Sequence, residues 1–465
     1  MDMMRVEQLA RLCDARLIRG DPNWMVERIS TDSRALQRGD CFIALRGPHF
    51  DGHEFVSDAA TRGASAAVVS NPTRAMNSPS ALALLQVQDT LTALHKLATN
   101  YRRQMPPSSR IIAVSGASGK TTTKEMIASV LGQRFNIVKT DGNENNHIGV
   151  PLNLLKLDPC CDFGVFELGS NHPGEMRLLA ELVRPDIGVV TNIGLAHAEF
   201  LRDEAGVAEE EGTPLEYLPR NGDGLAVLNA DDMWCDKLRI RTNATVVTVG
   251  IEKFADIRAS DIKINGDVKF RLNIAKKRDD VIVRLKTLGS HQIYNALQAA
   301  AVAYIQGLDL DDIREGLETM EYPKMRMEQA MLRGVRFVND CYNANVPSMK
   351  AALRMIRETP CNNQKIAVLG DMLELGEHTR REHLNIGAMA ANSRLKRLIV
   401  VGQAARWIAE GAVDAGMETH GVVPVLNAGE AAESLLSLVQ EGDLVLIKGS
   451  RALRLEKILE EFGSI

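Results

Sequence analysis

Apolar residues along this chain fall into two alternating rhythms. Short runs without polar interruption, RIIAVS (110–115), CDFGVFEL (161–168), DIGVVTNI (186–193) and GLAVLN (224–229), have the pattern of strands buried on both faces. Between them, KTTTKEMIASVLGQRF (120–135) and HPGEMRLLAELV (172–183) have helical apolar spacing, which places one buried stripe on each. Such alternation predicts a mostly parallel sheet covered on both sides. A long helix follows at SHQIYNALQAAAVAYIQ (290–306). The rhythm then restarts. VRFVND (335–340), KIAVLGD (365–371), RLIVVG (397–402) and DLVLIKG (443–449) each precede a helical stretch, which predicts a smaller doubly wound α/β domain. The first hundred residues are less regular, with a strand at SAAVVS (65–70) and a helix over DTLTALHKLATNYRRQM (89–105). PPSS (106–109) and EYPKM (321–325) interrupt both rhythms. The expected fold is therefore α/β with three domains, 1–107, 108–321 and 322–465, the last Rossmann-like.

Composition narrows the function more than the fold. A chain of 465 residues suits about three domains of roughly 150 residues each. Hydrophobic residues at 45% and charged residues at 25% are the ordinary globular mix. A net charge of −5 argues against coating nucleic acid or an anionic membrane. No apolar run approaches the roughly 18 residues of a membrane span, and the start lacks the basic-then-apolar layout of a signal peptide. Seven scattered cysteines without a CxxC pair suit a reducing compartment. A cytoplasmic protein without membrane insertion is the expectation, with a monomer as the simplest oligomeric state.

The first chemical signal follows the strand at 110–115. Gly116-Ala117-Ser118-Gly119-Lys120-Thr121-Thr122 joins that strand to a helix. Strand, glycine turn and helix start, in that order, surround an anion with backbone N–H groups and the positive end of the helix. Lys120 is placed for the outer phosphates of a nucleoside triphosphate, and the Thr121 hydroxyl for Mg²⁺. The strict phosphate-loop pattern has glycine five residues before Gly119, where Val114 stands, so this is a shortened GxxGKTT form. The loop alone indicates ATP-type binding without selecting motor, switch, kinase or ligase.

Beyond the loop, a series of segments resembles the Mur ligase family. GASGKTTTKEM (116–126) is similar to its ATP loop, and TDGNENNHIGVP (140–151), carrying Asn145 and Asn146, to its asparagine-rich loop beside the sugar substrate. FELGSNHPGEM places Glu167 where the family has a Mg²⁺-binding glutamate, and TNIGLAH places His197 where it has a histidine near a second metal. SHQIYNALQAAA offers Asn295 to adenine, MRME offers Arg326 to phosphate, and NDCYNAN offers Asp340 to ribose. STDSRALQRGDCFIALRGPHFDGHEF (30–55) resembles the uridine-nucleotide domain of the later-acting members, with Ser33 and Arg34 at the nucleotide. The resemblance implies an N-terminal uridine-nucleotide domain, a central phosphate-loop ATPase domain and a C-terminal ligase domain. Tyr342-Asn343-Ala344-Asn345 and VLGDMLELG (368–376) resemble the subfamily that adds D-alanyl-D-alanine to a UDP-muramoyl-tripeptide. One departure is Val346, which stands where proline usually follows the second asparagine.

The residue types suit such chemistry. A carboxylate condenses with an amine only after activation, and ATP supplies that by forming an acyl phosphate. Phosphoryl transfer mostly requires positioning and neutralisation of spreading negative charge. Lys120, Arg326 and Mg²⁺ fit that need, with Thr121, Glu167 and His197 as the implied metal residues. Asn343 and Asn345 suit capture of a small zwitterion, since each amide donates and accepts; they equally suit a strand–helix turn. Lys448 and Arg451 in LIKGSRALR (446–454) either meet a carboxylate or are solvated.

A second departure concerns the lysine that the family carbamylates to hold a second metal. Alignment of AGVA in AGVAEEEGTPLEYL (205–218) puts Glu211 at its place, and no lysine occurs between Lys156 and Lys237. Glu211 would serve the metal directly or through water, or belong to a solvated run with Glu209 and Glu210. Competing functions are another amino-acid-adding ligase of this fold, a nucleotide-binding protein that lost turnover, and an unrelated phosphate-loop ATPase.

Overall fold

The computed structural model describes residues 3–75, 81–220, 222–275 and 279–464. The chain divides into two compact units. The first comprises Met1–Ala113, Phe135–Gly169 and Leu178–Pro185, and the second Val114–Arg134, Ser170–Arg177 and Asp186–Ile465.

In the first unit, a five-stranded sheet runs in the order Arg16–Arg19, Ala83–Gln86, Ala66–Val69, Cys41–Ile43, Ile29–Ser30. The last four strands are parallel, and Arg16–Arg19 closes one edge antiparallel to Ala83–Gln86. Phe42, Val69, Leu82 and Leu84 pack one face against Val56 and Ala59 of the helix Val56–Thr61. The predicted helix forms over Thr90–Arg102, and the Asp89 carboxylate caps it by accepting from the Thr92 N–H. Elsewhere in the unit, Ile137–Lys139 pairs in parallel with Phe163–Glu167.

In the second unit, Ile187–Val190, Leu225–Asn229, Thr245–Gly250 and Ile257–Ile264 pair in parallel. The strands Val268–Ile274 and Asp280–Leu285 then extend this sheet antiparallel. That extension lay outside the expected strand–helix alternation. Its strands alternate buried and exposed residues, Phe270 and Leu272 inside with Lys269 and Arg271 out, because only one face is covered. The loop helix Lys120–Leu131 packs on His291–Ile305 and Leu310–Thr319. Gly316 permits the close approach, since a Cβ there would stand 2.5 Å from the Val130 Cα.

The C-terminal part of this unit has a six-stranded sheet in the order Glu328–Leu332, Val335–Asn339, Leu444–Lys448, Lys365–Gly370, Arg397–Val401, Val422–Val425. Only the first pair is antiparallel. All four predicted strands are present, and the two outermost are additional. Ile366 and Val368 face one core, while Ala367 and Leu369 face the other. Met349 and Leu353 cover one side and Ala431 and Leu435 the other, which is why these strands read as unbroken apolar runs.

Candidate functional site

The glycine turn after Ser115 is held by backbone that only glycine tolerates. Gly116 has φ +124° and Gly119 φ +82°, and a Cβ on Gly116 would lie 2.1 Å from the Thr191 Oγ1. Residues of TNIG lock the turn. The Thr191 hydroxyl donates to the Ser118 carbonyl at 2.7 Å, the Ala117 N–H to the Asn192 carbonyl at 2.8 Å, and the Ser118 N–H to Asn192 Oδ1 at 3.2 Å. The helix then opens at Lys120, where the first N–H groups lack intrahelical acceptors and face any bound anion.

Lys120 is folded back on its own loop. Its ammonium donates to the Gly116 carbonyl and lies 3.6 Å from Glu211 Oε1. Glu211 Oε2 accepts the Gly116 N–H at 2.7 Å, and the Glu211 carbonyl accepts from the Ser115 hydroxyl at 2.7 Å. Glu211 is 1% exposed, so the solvated-run reading fails for it. It fails for Glu210 too, which is buried and accepts from the Gly174 and Met176 N–H groups. Both glutamates end a short helix, Glu204–Glu211, whose last turn faces the loop instead of water. Burial pushes the Glu211 carboxyl above its ordinary range, while Lys120 and the Gly116 N–H pull it down.

Arg326 and Thr121 meet directly, the guanidinium donating to Thr121 Oγ1 at 3.1 Å. The same guanidinium lies 4.2 Å over the Tyr342 ring, a cation–π contact that orients it. Asn295 is buried behind the loop, accepting from the Thr123 hydroxyl at 3.2 Å and donating to Gln292 Oε1 at 2.9 Å. Asn345 caps the helix Val346–Glu358 through the Ser348 N–H and donates its amide to the Ala117 carbonyl at 2.8 Å. It therefore ties the Tyr342–Asn345 turn to the phosphate loop. Val346, in place of proline, occupies the first helical position without disturbing that cap, and Pro347 follows it. Asn343 Oδ1 accepts the Ala344 N–H.

Lys448 resolves an alternative that the sequence left open. It is 2% exposed and donates to Asp340 Oδ2 at 2.6 Å, to the Asp340 carbonyl at 3.3 Å and to the Asn343 carbonyl at 3.1 Å. It is not solvated, and its three contacts are all internal. Arg451 pairs with Glu456 at 2.7 Å. His197 has φ +51° and bonds through Nδ1 to Glu374 in a short contact. That bond holds the Glu374 carboxyl below its ordinary range. Glu374, also at positive φ, accepts the Glu199 N–H through its carbonyl at 3.0 Å. Glu374 and Lys448 both lie in motifs noticed in the sequence. Their partners are 177 and 108 residues away, beyond the reach of local pattern.

The remaining site residues belong to the first unit. Glu167, buried, accepts from Asn145 Nδ2 at 2.9 Å through Oε1, and its buried Oε2 has no protein partner. Asn146 Oδ1 accepts the Ile148 and Gly149 N–H groups at 3.0 and 2.9 Å. Ser33 and Arg34 form a short exposed 3-10 turn, with Arg34 paired to Asp32 at 2.9 Å. Among the described residues, no group of three or more His, Cys, Asp or Glu side chains is gathered to hold a metal ion. Nor is any helix among them long and apolar enough to cross a membrane.

Comparison with known proteins covers all of these segments. Residues 25–102 match the Mur ligase family catalytic domain, 114–303 the Mur ligase middle domain, and 325–451 the Mur ligase glutamate ligase domain. UDP-N-acetylmuramoyl-tripeptide–D-alanyl-D-alanine ligase of Bacillus subtilis is 33% identical over 442 residues, 94% of this chain and 93% of the relative. The ligase of that name from Escherichia coli is 34% identical over 460 residues, 94% and 95% of the two chains. A crystal structure of MurF from Acinetobacter baumannii superposes with a TM-score of 0.90 at 30% identity, covering 100% of both chains. MurF from Thermotoga maritima, solved with ADP, gives 0.81 at 27% identity, covering 94% and 97%. The fold is the three-domain one of these ligases. With matches in all three segments and nearly end-to-end coverage of its relatives, the chain belongs to the Mur ligase family.

Proposed function

We propose that this chain joins D-alanyl-D-alanine to UDP-N-acetylmuramoyl-tripeptide, converting ATP to ADP and phosphate, as an amide ligase of peptidoglycan precursor synthesis. The observation that carries the reading is end-to-end similarity to relatives of that name, together with a phosphate loop on which Arg326 and Asn345 converge. The domain boundaries we assign, 1–107, 108–321 and 322–465, fall in or beside the gaps between the three matched segments.

The substrate carboxylate attacks the γ-phosphorus of ATP, giving an acyl phosphate and ADP. The dipeptide amine then attacks the acyl carbon, and the tetrahedral intermediate expels phosphate. Lys120 and Arg326 hold positive charge against the phosphates. Tyr342 orients Arg326 by stacking, and Asn345 keeps its turn on the loop. Asn295 is assigned to adenine and Asp340 to ribose, each keeping acceptor or donor capacity beyond its internal bonds. Ser33 and Arg34 are assigned to the uridine nucleotide, Asn145 and Asn146 to the sugar side, and Tyr342 and Asn343 to the dipeptide. The unpartnered Glu167 oxygen and the Thr121 hydroxyl are each hard donors that would suit a first Mg²⁺, and His197 would lie near a second. Bound Mg²⁺ would neutralise the charge spreading over the phosphates.

The test is phosphate release from ATP with UDP-muramoyl-tripeptide, with and without D-alanyl-D-alanine. Release that requires both substrates, with pentapeptide product, is expected. ATP binding without release would favour a nucleotide-binding protein that lost turnover, and release without either substrate would favour a simple ATPase.

A further inference from the structure

The Gly116 N–H and the Lys120 ammonium are the donors a phosphate loop offers an anion, and here a carboxylate of the chain itself holds both. The helix end that carries this carboxylate is fixed. The Glu211 carbonyl is bonded to the Ser115 hydroxyl, and the adjacent Glu210 side chain is bonded to two backbone N–H groups. Arg241 grips the same helix end, donating to the Ala208 and Glu209 carbonyls at 2.8 and 2.6 Å. Gly212 is crowded there, since a Cβ would stand 2.4 Å from Arg241 Nη1. A solvated glutamate would swing away when phosphate arrives. Here the backbone that carries the carboxylate is fixed, so even when displaced from its two donors it keeps its charge near the loop.

We propose that Glu211 is an internal ligand of the phosphate loop, which a nucleotide must displace from Gly116 and Lys120 and whose charge opposes the bound phosphates. This rests on the reading of the loop as the ATP site. It assigns Glu211 a role opposite in sign to that of a metal ligand. A metal-holding carboxylate strengthens binding of the Mg²⁺–nucleotide complex, whereas a competing carboxylate weakens it. Glu211→Gln separates the two roles, because glutamine keeps the shape and still accepts from the Gly116 N–H while releasing Lys120 from its counter-charge.

The experiment is calorimetric titration of the full chain with a nonhydrolysable ATP analogue, with and without Mg²⁺, and thermal melting of each variant. Wild-type protein is measured first, and failure to bind the analogue would defeat the ATP-site reading itself. If wild type binds, Glu211→Gln is expected to bind about tenfold more tightly, the scale of one unit charge removed from a part-buried anion site. Binding of the UDP substrate should be unchanged. Unchanged analogue affinity with a lower melting temperature would overturn the proposal in favour of a structural prop. Weaker affinity confined to the Mg²⁺ titration would overturn it in favour of a metal ligand. Should Glu211→Gln not fold, Glu211→Ala gives the same reading, since it too removes the charge from beside both donors.

Discussion

At the scale of single residues, the site is built from side chains that hold one another as well as their ligands. The sequence suggests a Lys120 that touches only phosphate, yet its ammonium faces Glu211. Lys120→Ala should therefore abolish phosphate release and also lower stability by about 1–3 kcal/mol, because Glu211 is left buried without its counter-charge. Urea unfolding alongside the activity assay checks both. Lys448 is a stronger case, with its three contacts all to Asp340 and Asn343. Lys448→Met should cost about 3–5 kcal/mol by removing one partner of a buried pair. Adding Asp340→Asn should recover much of that loss, whereas additive losses in the double variant would show that the pair is not coupled. Asn345 was a candidate for dipeptide selection, but its amide caps a helix and tethers the loop. Asn345→Ala should raise the KM of ATP together with that of the dipeptide, and a rise for the dipeptide alone would restore the selective role.

At the scale of elements, the segment after the central TNIG strand and the loop at 372–378 hold each other. His197 bonds Glu374, the Glu199 N–H donates to the Glu374 carbonyl, and His378 contacts the Arg202 carbonyl at 2.7 Å. His197, Arg202 and Glu374 all take positive φ, a conformation that persists in non-glycine residues where surrounding contacts over-determine it. Glu374 thereby orients the imidazole through Nδ1 and leaves Nε2 as the ring's other donor or acceptor. Glu374→Ala should lower kcat by about 10–100-fold, the usual scale when a partner orienting a working histidine is lost. The UDP-substrate KM should hold. A parallel rise in every KM, or a collapse in melting temperature, would mean that the contact only supports the fold.

At the scale of the whole molecule, ligand binding and stability are linked. A nonhydrolysable ATP analogue at a hundred times its Kd should add about 2.7 kcal/mol to the stability of the unit that binds it. Hydrogen exchange should place the added protection at residues 115–123 and at the TNIG strand end. Protection confined to the five-stranded sheet of the first unit would place the nucleotide wrongly. In Lys120→Ala the same analogue concentration should protect far less, which separates loss of binding from loss of chemistry.

Much of this protein was legible in its sequence. The unbroken apolar runs announced strands buried on both faces, because a residue on either side of such a strand meets a helix. The glycine turn was legible because Gly116 and Gly119 need backbone angles that other residues resist. The antiparallel strands at 268–285 escaped, since their half-exposed alternation departs from the strand–helix rhythm around them. Pairings across the chain escaped for a more basic reason. A triple glutamate has one sequence whether it faces water or a phosphate loop. Only the packing of the helix Glu204–Glu211 against the strand end at Ser115 decided that Glu211 is buried and bonded to Gly116. Likewise, Lys448 and Asp340 became a buried pair because two strands adjacent in the sheet are over a hundred residues apart in the chain. Local patterning thus determined which elements form, and tertiary contact decided which charges face one another.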